Sequence, residues 1–136
     1  MSKRLTKVYR PHPVVGVITP WNFPLLMPAM DVIPALLAGA AVVLKPSEVT
    51  PLAALELARG WAEIGAPPVL AVLTGLGETG AALVDAVDYV QFTGSTATGK
   101  VIGQRAAARL VPSPAAWSSV ARTRQSCWLT PTSTGQ

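Results

Sequence analysis

The polar residues of this chain that are capable of chemistry stand mostly at the ends of short apolar runs, where a strand would hand over to a loop or helix. Phe92-Thr93-Gly94-Ser95-Thr96-Ala97-Thr98-Gly99 is the clearest case. There a β-branched and aromatic run passes straight into a helix, whose first amide groups lack intrahelical acceptors and face outward as anion donors. Gly94 lets a backbone approach a phosphate closely, and the Ser95 hydroxyl adds a donor. Thr19 to Phe23, Lys45 to Glu48 and Thr74 to Gly77 follow three other runs in the same way. The lone cysteine, Cys127, excludes an intrachain disulfide and provides no metal-ligand spacing, so no metal site is expected. His12, between Pro11 and Pro13, reads as a surface loop residue, and Met27 and Met30 read as core packing or a domain contact.

Those residues must be positioned by regular elements, and the apolar spacing supplies them. Val14 to Thr19 predicts a buried strand that closes on Pro20, and Leu25 to Ala40 predicts a helix in which Pro28 and Pro34 sit near the start or kink it. Ala41 to Lys45 predicts a second strand. Thr50 before Pro51 predicts an N-cap for a helix over Leu52 to Ile64, ended by Gly65. A third strand, Val69 to Thr74, leads through the turn Gly75-Leu76-Gly77 to a short helix over Thr79 to Val84. Asp88 to Thr93 and Ser95 to Ala108 complete a fourth strand and a fourth helix, the latter capped by Ser95. Strand and helix alternating four times imply an open parallel α/β sheet of the Rossmann-like, nucleotide-binding kind. Such sheets bind ligands beyond the carboxyl ends of their strands, where the polar residues named above lie.

Composition supports one folded domain. A chain of 136 residues, half of them apolar and only 13 % charged, is too apolar for disorder and of the usual size for a single core. The formal charge of +4 suggests a nucleic-acid partner until the charges are placed. Lys3, Arg4, Lys7 and Arg10 crowd the first 12 residues and Arg109, Arg122 and Arg124 the last 28, whereas Pro13 to Ala108 carries four cations against seven acids. With no aromatic-interleaved basic stripe in the body, a nucleic-acid function is not expected. Neither a signal-type segment nor an apolar run of 18 residues occurs, so no membrane partner is expected and a cytoplasmic location is.

The segments Ile18-Thr19-Pro20-Trp21-Asn22-Phe23-Pro24, Val43-Leu44-Lys45-Pro46-Ser47-Glu48 and Phe92-Thr93-Gly94-Ser95-Thr96, in this order and spacing, resemble the aldehyde dehydrogenase superfamily over Pro13 to about Arg109. The resemblance implies that the Asn22 amide donates to the oxyanion of a thiohemiacetal, a neutral donor that can lower a barrier by about 3 kcal/mol. It implies that Ile18, Thr19 and Trp21 border an NAD or NADP cofactor and that Lys45, Ser47 and Glu48 lie at the adenosine ribose. Phe92, Thr93, Gly94 and Ser95, with the turn glycines Gly75 and Gly77, would complete the cofactor site. A carboxylate at Glu48 favours NAD by repelling a 2′-phosphate, and Lys45 beside it leaves NADP open. Without the resemblance, Asn22 reads as a turn residue, Trp21 as core, Lys45 to Glu48 as a solvated loop and the glycines as turn geometry. The family's reaction is oxidation of an aldehyde substrate through a cysteine thiolate, and its members are usually homo-oligomers.

Family members are several times longer and continue after the fourth helix into Leu-Glu-Leu-Gly-Gly-Lys, whose glutamate is the general base, and later into the nucleophilic cysteine. Ser113 to Gln136 instead contains no acid and shows no helix or strand period. The expected organisation is therefore a basic segment 1–12, a partial cofactor domain 13–111 and an irregular tail 112–136. A one-base shift accounts for the tail. If Ala116 to Arg122 are written GCC-TGG-AGC-TCG-GTG-GCA-AGG, moving the codon boundary back one base gives Leu-Glu-Leu-Gly-Gly-Lys. The same shift through Gln136 permits a further family-like stretch, so a frameshift near Pro112 to Pro114 is expected, in a fragment inactive alone. The alternative is a non-catalytic nucleotide-binding remnant of a disrupted gene.

Overall fold

The computed structural model describes residues 10–108 and the backbone of one further short strand. Among the described residues five strands and four helices alternate: β1 (Val14–Ile18), α1 (Leu26–Leu37), β2 (Ala41–Lys45), α2 (Leu52–Glu63), β3 (Leu70–Val72), α3 (Gly77–Ala86), β4 (Tyr89–Thr93), α4 (Thr96–Ala107) and β5 (Ala115–Ser118). All pairings are parallel and the order is β3-β2-β1-β4-β5. The chain builds outward from β1 to β3, then crosses back to lay β4 on the other side of β1. That reversal leaves a crevice at the carboxyl ends of β1 and β4, the place where open α/β sheets take ligands.

Each β1 and β2 residue sends its side chain to the face opposite its neighbour's, so two cores form. Val15, Val17, Val42 and Leu44 pack with Val32 of α1 and Ala54 of α2 on one face. Ile18, Val90 and Phe92 pack with Leu83 and Val84 of α3 and Ile102 and Ala106 of α4 on the other. Burying a valine, leucine or phenylalanine in this way is worth roughly 1.5–3 kcal/mol. Gly16 points to the second face, where an added Cβ would lie 3.0 Å from Val87 Cγ2. A glycine at the middle of β1 thus lets the end of α3 lie close on the sheet.

Local chemistry explains most element ends. Gly65, at φ 68°, turns the chain after α2 as the sequence predicts, its N–H donating to the Ala62 carbonyl at 3.0 Å. Ser95 caps α4 by accepting from the Thr98 amide at 3.2 Å. Pro28 lies in the first turn of α1, where its missing N–H costs nothing, while Pro34 lies inside the helix and removes one internal bond.

Thr50 does not cap α2, contrary to expectation. Pro51 occupies the cap position with no side-chain bond, because the Thr50 hydroxyl donates instead to the Trp21 carbonyl at 3.3 Å. That bond ties the loop after β1 to the loop after β2. The third helix is also longer than expected, running from Gly77 to Ala86. β5 falls within the stretch 112–136 in which no strand period is legible, and pairs from Val90↔Ala115 to Thr93↔Ser118. Four residues are too few to display alternation, and the outer edge of β4 offers its backbone donors and acceptors to any extended segment.

Candidate cofactor groove

A groove of about 660 Å³ opens at the carboxyl ends of β1, β2 and β4 and runs on between α3 and α4. Ile18, Thr19 and Trp21 line it from the first strand and its loop, and Lys45, Ser47 and Glu48 from the second. Gly77 opens α3 against it, and Phe92, Thr93, Gly94 and Ser95 close it at the β4–α4 junction. Two residues singled out in the sequence lie elsewhere. Asn22 is exposed on the loop beyond Trp21 and does not line the groove. Gly75 is set back from it, in the turn before α3. At φ 148° a side chain there would be strained, and a Cβ would meet Thr79 Oγ1 at 2.1 Å.

The geometry of the polar groups is specific. Lys45 is only 5 % exposed although charged. Its ammonium donates to the Pro46 carbonyl at 3.0 Å and stands 4.0 Å from the half-exposed Glu48 carboxylate. At that distance and exposure the ion pair contributes well under about 1 kcal/mol, so the ammonium is held chiefly by the Pro46 carbonyl and by burial of its stem. The stem crosses α3 where Gly80 leaves room, a Cβ there being 3.5 Å from Lys45 Cδ. Thr19 Oγ1 is buried in the groove wall and has no hydrogen-bond partner among the described residues. Leaving such a hydroxyl unsatisfied costs about 1–3 kcal/mol, a cost that a ligand atom can remove. Ser95 Oγ lies 2.9 Å from Thr98 Oγ1, so one of these hydroxyls donates to the other at the opening of α4.

Gly94, read in sequence as a window for a phosphate, has a second reason within the chain to lack a Cβ. A Cβ there would lie 2.6 Å from Cζ of Phe92, whose ring also packs under Gly99. Trp21 is not core, being 60 % exposed at the groove mouth.

Thr93 joins the groove to the opposite side of the sheet. Its hydroxyl lies 3.5 Å from the carboxylate of Asp31 on α1, a residue the sequence did not mark. Burial raises the Asp31 carboxyl above its ordinary value, against the lowering effect of hydrogen bonds from Thr93 and Gln91. Asp31 lines a second cavity of about 350 Å³ with His12, Met30 and Tyr89. His12 stacks on Tyr89 with ring centroids 5.0 Å apart, so it is exposed but not idle. Met30 is largely exposed and not core. The limb of the groove between α3 and α4, with Val84, Val101 and Arg105, was also missed in sequence. Its signal was present as residues three and four apart on facing helices. Cys127 lies outside the described residues.

The family model described as the aldehyde dehydrogenase family matches residues 1–118. The chain belongs to that family. An aminoaldehyde dehydrogenase 1, peroxisomal, from Malus domestica is 57 % identical over 74 % of this chain and 21 % of its own length. Betaine aldehyde dehydrogenase 1 from Oryza sativa subsp. japonica is 58 % identical over 68 % of this chain and 19 % of its own. Among solved structures, apo betaine aldehyde dehydrogenase from Staphylococcus aureus superposes with a TM-score of 0.71 at 38 % identity, covering 78 % of this chain and 22 % of that one. A proline utilization A variant from Bradyrhizobium japonicum gives 0.74 at 40 % identity, covering 79 % of this chain and 12 % of that one. The chain thus spans about a fifth of the length of the curated relatives it matches. No helix among the described residues is long and apolar enough to cross a membrane.

Proposed function

We propose that the groove holds NAD and that this chain forms the cofactor-binding part of an enzyme that oxidises an aldehyde to a carboxylic acid. The observation that carries the reading is the convergence of three strand ends and the α4 N-terminus on one groove containing a buried ammonium and an unsatisfied hydroxyl. The residues fit the group. Outward amides at the start of α4, beside the Ser95–Thr98 hydroxyl pair, suit a pyrophosphate. Lys45 and Glu48 suit ribose hydroxyls, the ammonium donating and the carboxylate accepting. Thr19 Oγ1 offers one more bond at the wall. When bound, the nicotinamide supplies the hydride acceptor.

The exposed Glu48 carboxylate disfavours a 2′-phosphate, so NAD is the preferred form, with the adjacent Lys45 moderating the discrimination. Asn22, exposed beyond the groove mouth, is the amide that donates to the oxyanion formed when an aldehyde is attacked. The described residues contain no cysteine, so the groove they form is expected to bind cofactor without turnover on its own. A disrupted reading frame near Pro112 to Pro114 accounts for the acid-free sequence from Ser113 to Gln136. Codons around Trp117 that cannot be read as Leu-Glu-Leu-Gly-Gly-Lys in the shifted frame overturn that part of the account.

Calorimetric titration of the purified chain with NAD and NADP, beside an assay of aldehyde-dependent NADH formation, tests the function. Binding of NAD more tightly than NADP, without turnover, is the expected result. Failure to bind either cofactor overturns the groove assignment, and turnover overturns the claim that the chain is inactive alone.

A further inference from the structure

We propose that Arg105, held flat by Asp85, is the end wall of the subsite for the adenine base and sets how tightly that base is held. The inference rests on the groove being the dinucleotide site. Beyond the strand ends the groove continues as a slot walled by Gly80, Ala81 and Val84 of α3 and by Val101 and Ile102 of α4. These residues are small or apolar and recur three and four apart, so both helices present continuous smooth faces. Such a slot admits a flat, neutral ring and disfavours a phosphate, and the base is the only part of an adenine nucleotide with that character. The amides that attract phosphate lie at the opposite end of α4. From Thr96 to Arg105 the helix climbs roughly 14 Å at its ordinary rise per residue.

Arg105 lines the far end of the slot. Its Nε donates to Asp85 Oδ1 at 2.8 Å and its second terminal nitrogen to Oδ2 at 2.5 Å. The two parallel bonds fix the plane of the guanidinium and link α4 to α3 across the slot. They also oppose its charge with a carboxylate at contact distance. A paired, planar guanidinium that is still 47 % exposed is a poor ligand for a phosphate and a good face for an aromatic ring. Its remaining terminal nitrogen is a donor suited to the ring nitrogens of the purine, which are acceptors.

The test compares the full chain with R105A and R105K by titrating NAD and nicotinamide mononucleotide, which has no adenine. Thermal melting monitors the fold. Loss of stacking weakens NAD about 3-fold to 30-fold in R105A. R105K, which keeps the charge but not the plane, loses affinity in the same direction, and the mononucleotide binds all three alike. R105A and R105K chains that melt as the wild type and bind NAD equally well contradict the inference. So does an equal loss for both ligands. If the wild type binds NAD in neither the titration nor competition with ADP-ribose, the groove assignment itself falls and this inference with it.

Discussion

The two faces of the sheet are built from the same alternating strands but are finished differently. On the α3–α4 face the helices meet, Arg105 bonds to Asp85 between them, and the apolar residues close over Phe92 and Val90. The polar strand ends then open into a groove. On the α1–α2 face, α1 buries Val32 and Pro28 but leaves Leu26, Met30, Ile33 and Leu37 largely exposed, Leu37 at 84 %. Those four recur at helical spacing and form one stripe. The contrast shows that two helices and three strand ends suffice to close a groove on one face, whereas on the other the sheet covers only one side of α1 and leaves this stripe exposed.

The comparison can be broken most severely from within the core. Leu44, fully buried under α1 and α2, is expected to cost about 2–5 kcal/mol when replaced by alanine, read as a fall in the urea midpoint. Gly94→Ala should cost about 1–3 kcal/mol, because the new methyl meets the Phe92 ring and a buried ring cannot swing aside cheaply. That substitution is expected to weaken NAD as well, which Leu44→Ala in a still-folded chain is not. A Gly94→Ala chain of unchanged stability would show that Phe92 relaxes freely and that the groove floor is soft.

Smaller effects sharpen the contrast. Lys45→Met keeps the stem over Gly80 and removes the ammonium, so NAD affinity should fall by about 1.5–3 kcal/mol with little change in the melt. Leu37→Lys should alter stability by no more than about 0.5 kcal/mol, read in the same urea midpoint, since the side chain is 84 % exposed. Asp31 provides the pH test. Its folded carboxyl titrates above the unfolded value of 3.8, so the stability it contributes is present below that value and is lost as pH rises through the higher folded one. Asp31→Asn should therefore raise the melting temperature at neutral pH and flatten its dependence on pH in the acidic range. A variant that melts lower than the wild type at pH 7 would contradict burial as the dominant cause.

Elements with strong local signals were legible in the sequence. β2 occupies Ala41–Lys45 as its β-branched run demands, and Ser95 caps α4 because a hydroxyl precedes a helical run. Residues whose roles depend on distant partners were not. Thr50 looks like a cap until the Trp21 carbonyl, 29 residues away, takes its hydroxyl. The second role of Gly94, clearing the Phe92 ring that folds beneath it, is equally invisible until the fold is known. Arg105 and Asp85 carry no motif, and only the approach of α3 to α4 makes them a pair. Strand ends converge because parallel topology requires it, so the polar residues of the groove could be assembled from the order of elements alone. The helix-lined limb could not, since it depends on which helix faces meet.

Hydrogen exchange read by mass spectrometry, with and without saturating NAD, tests the central claim most directly. The account predicts slowed exchange in residues 18–21, 45–48 and 92–99 and along the facing turns of α3 and α4, with Leu26–Leu37 unchanged. Protection confined to α1, or none anywhere, would contradict the assignment of the groove as the cofactor site.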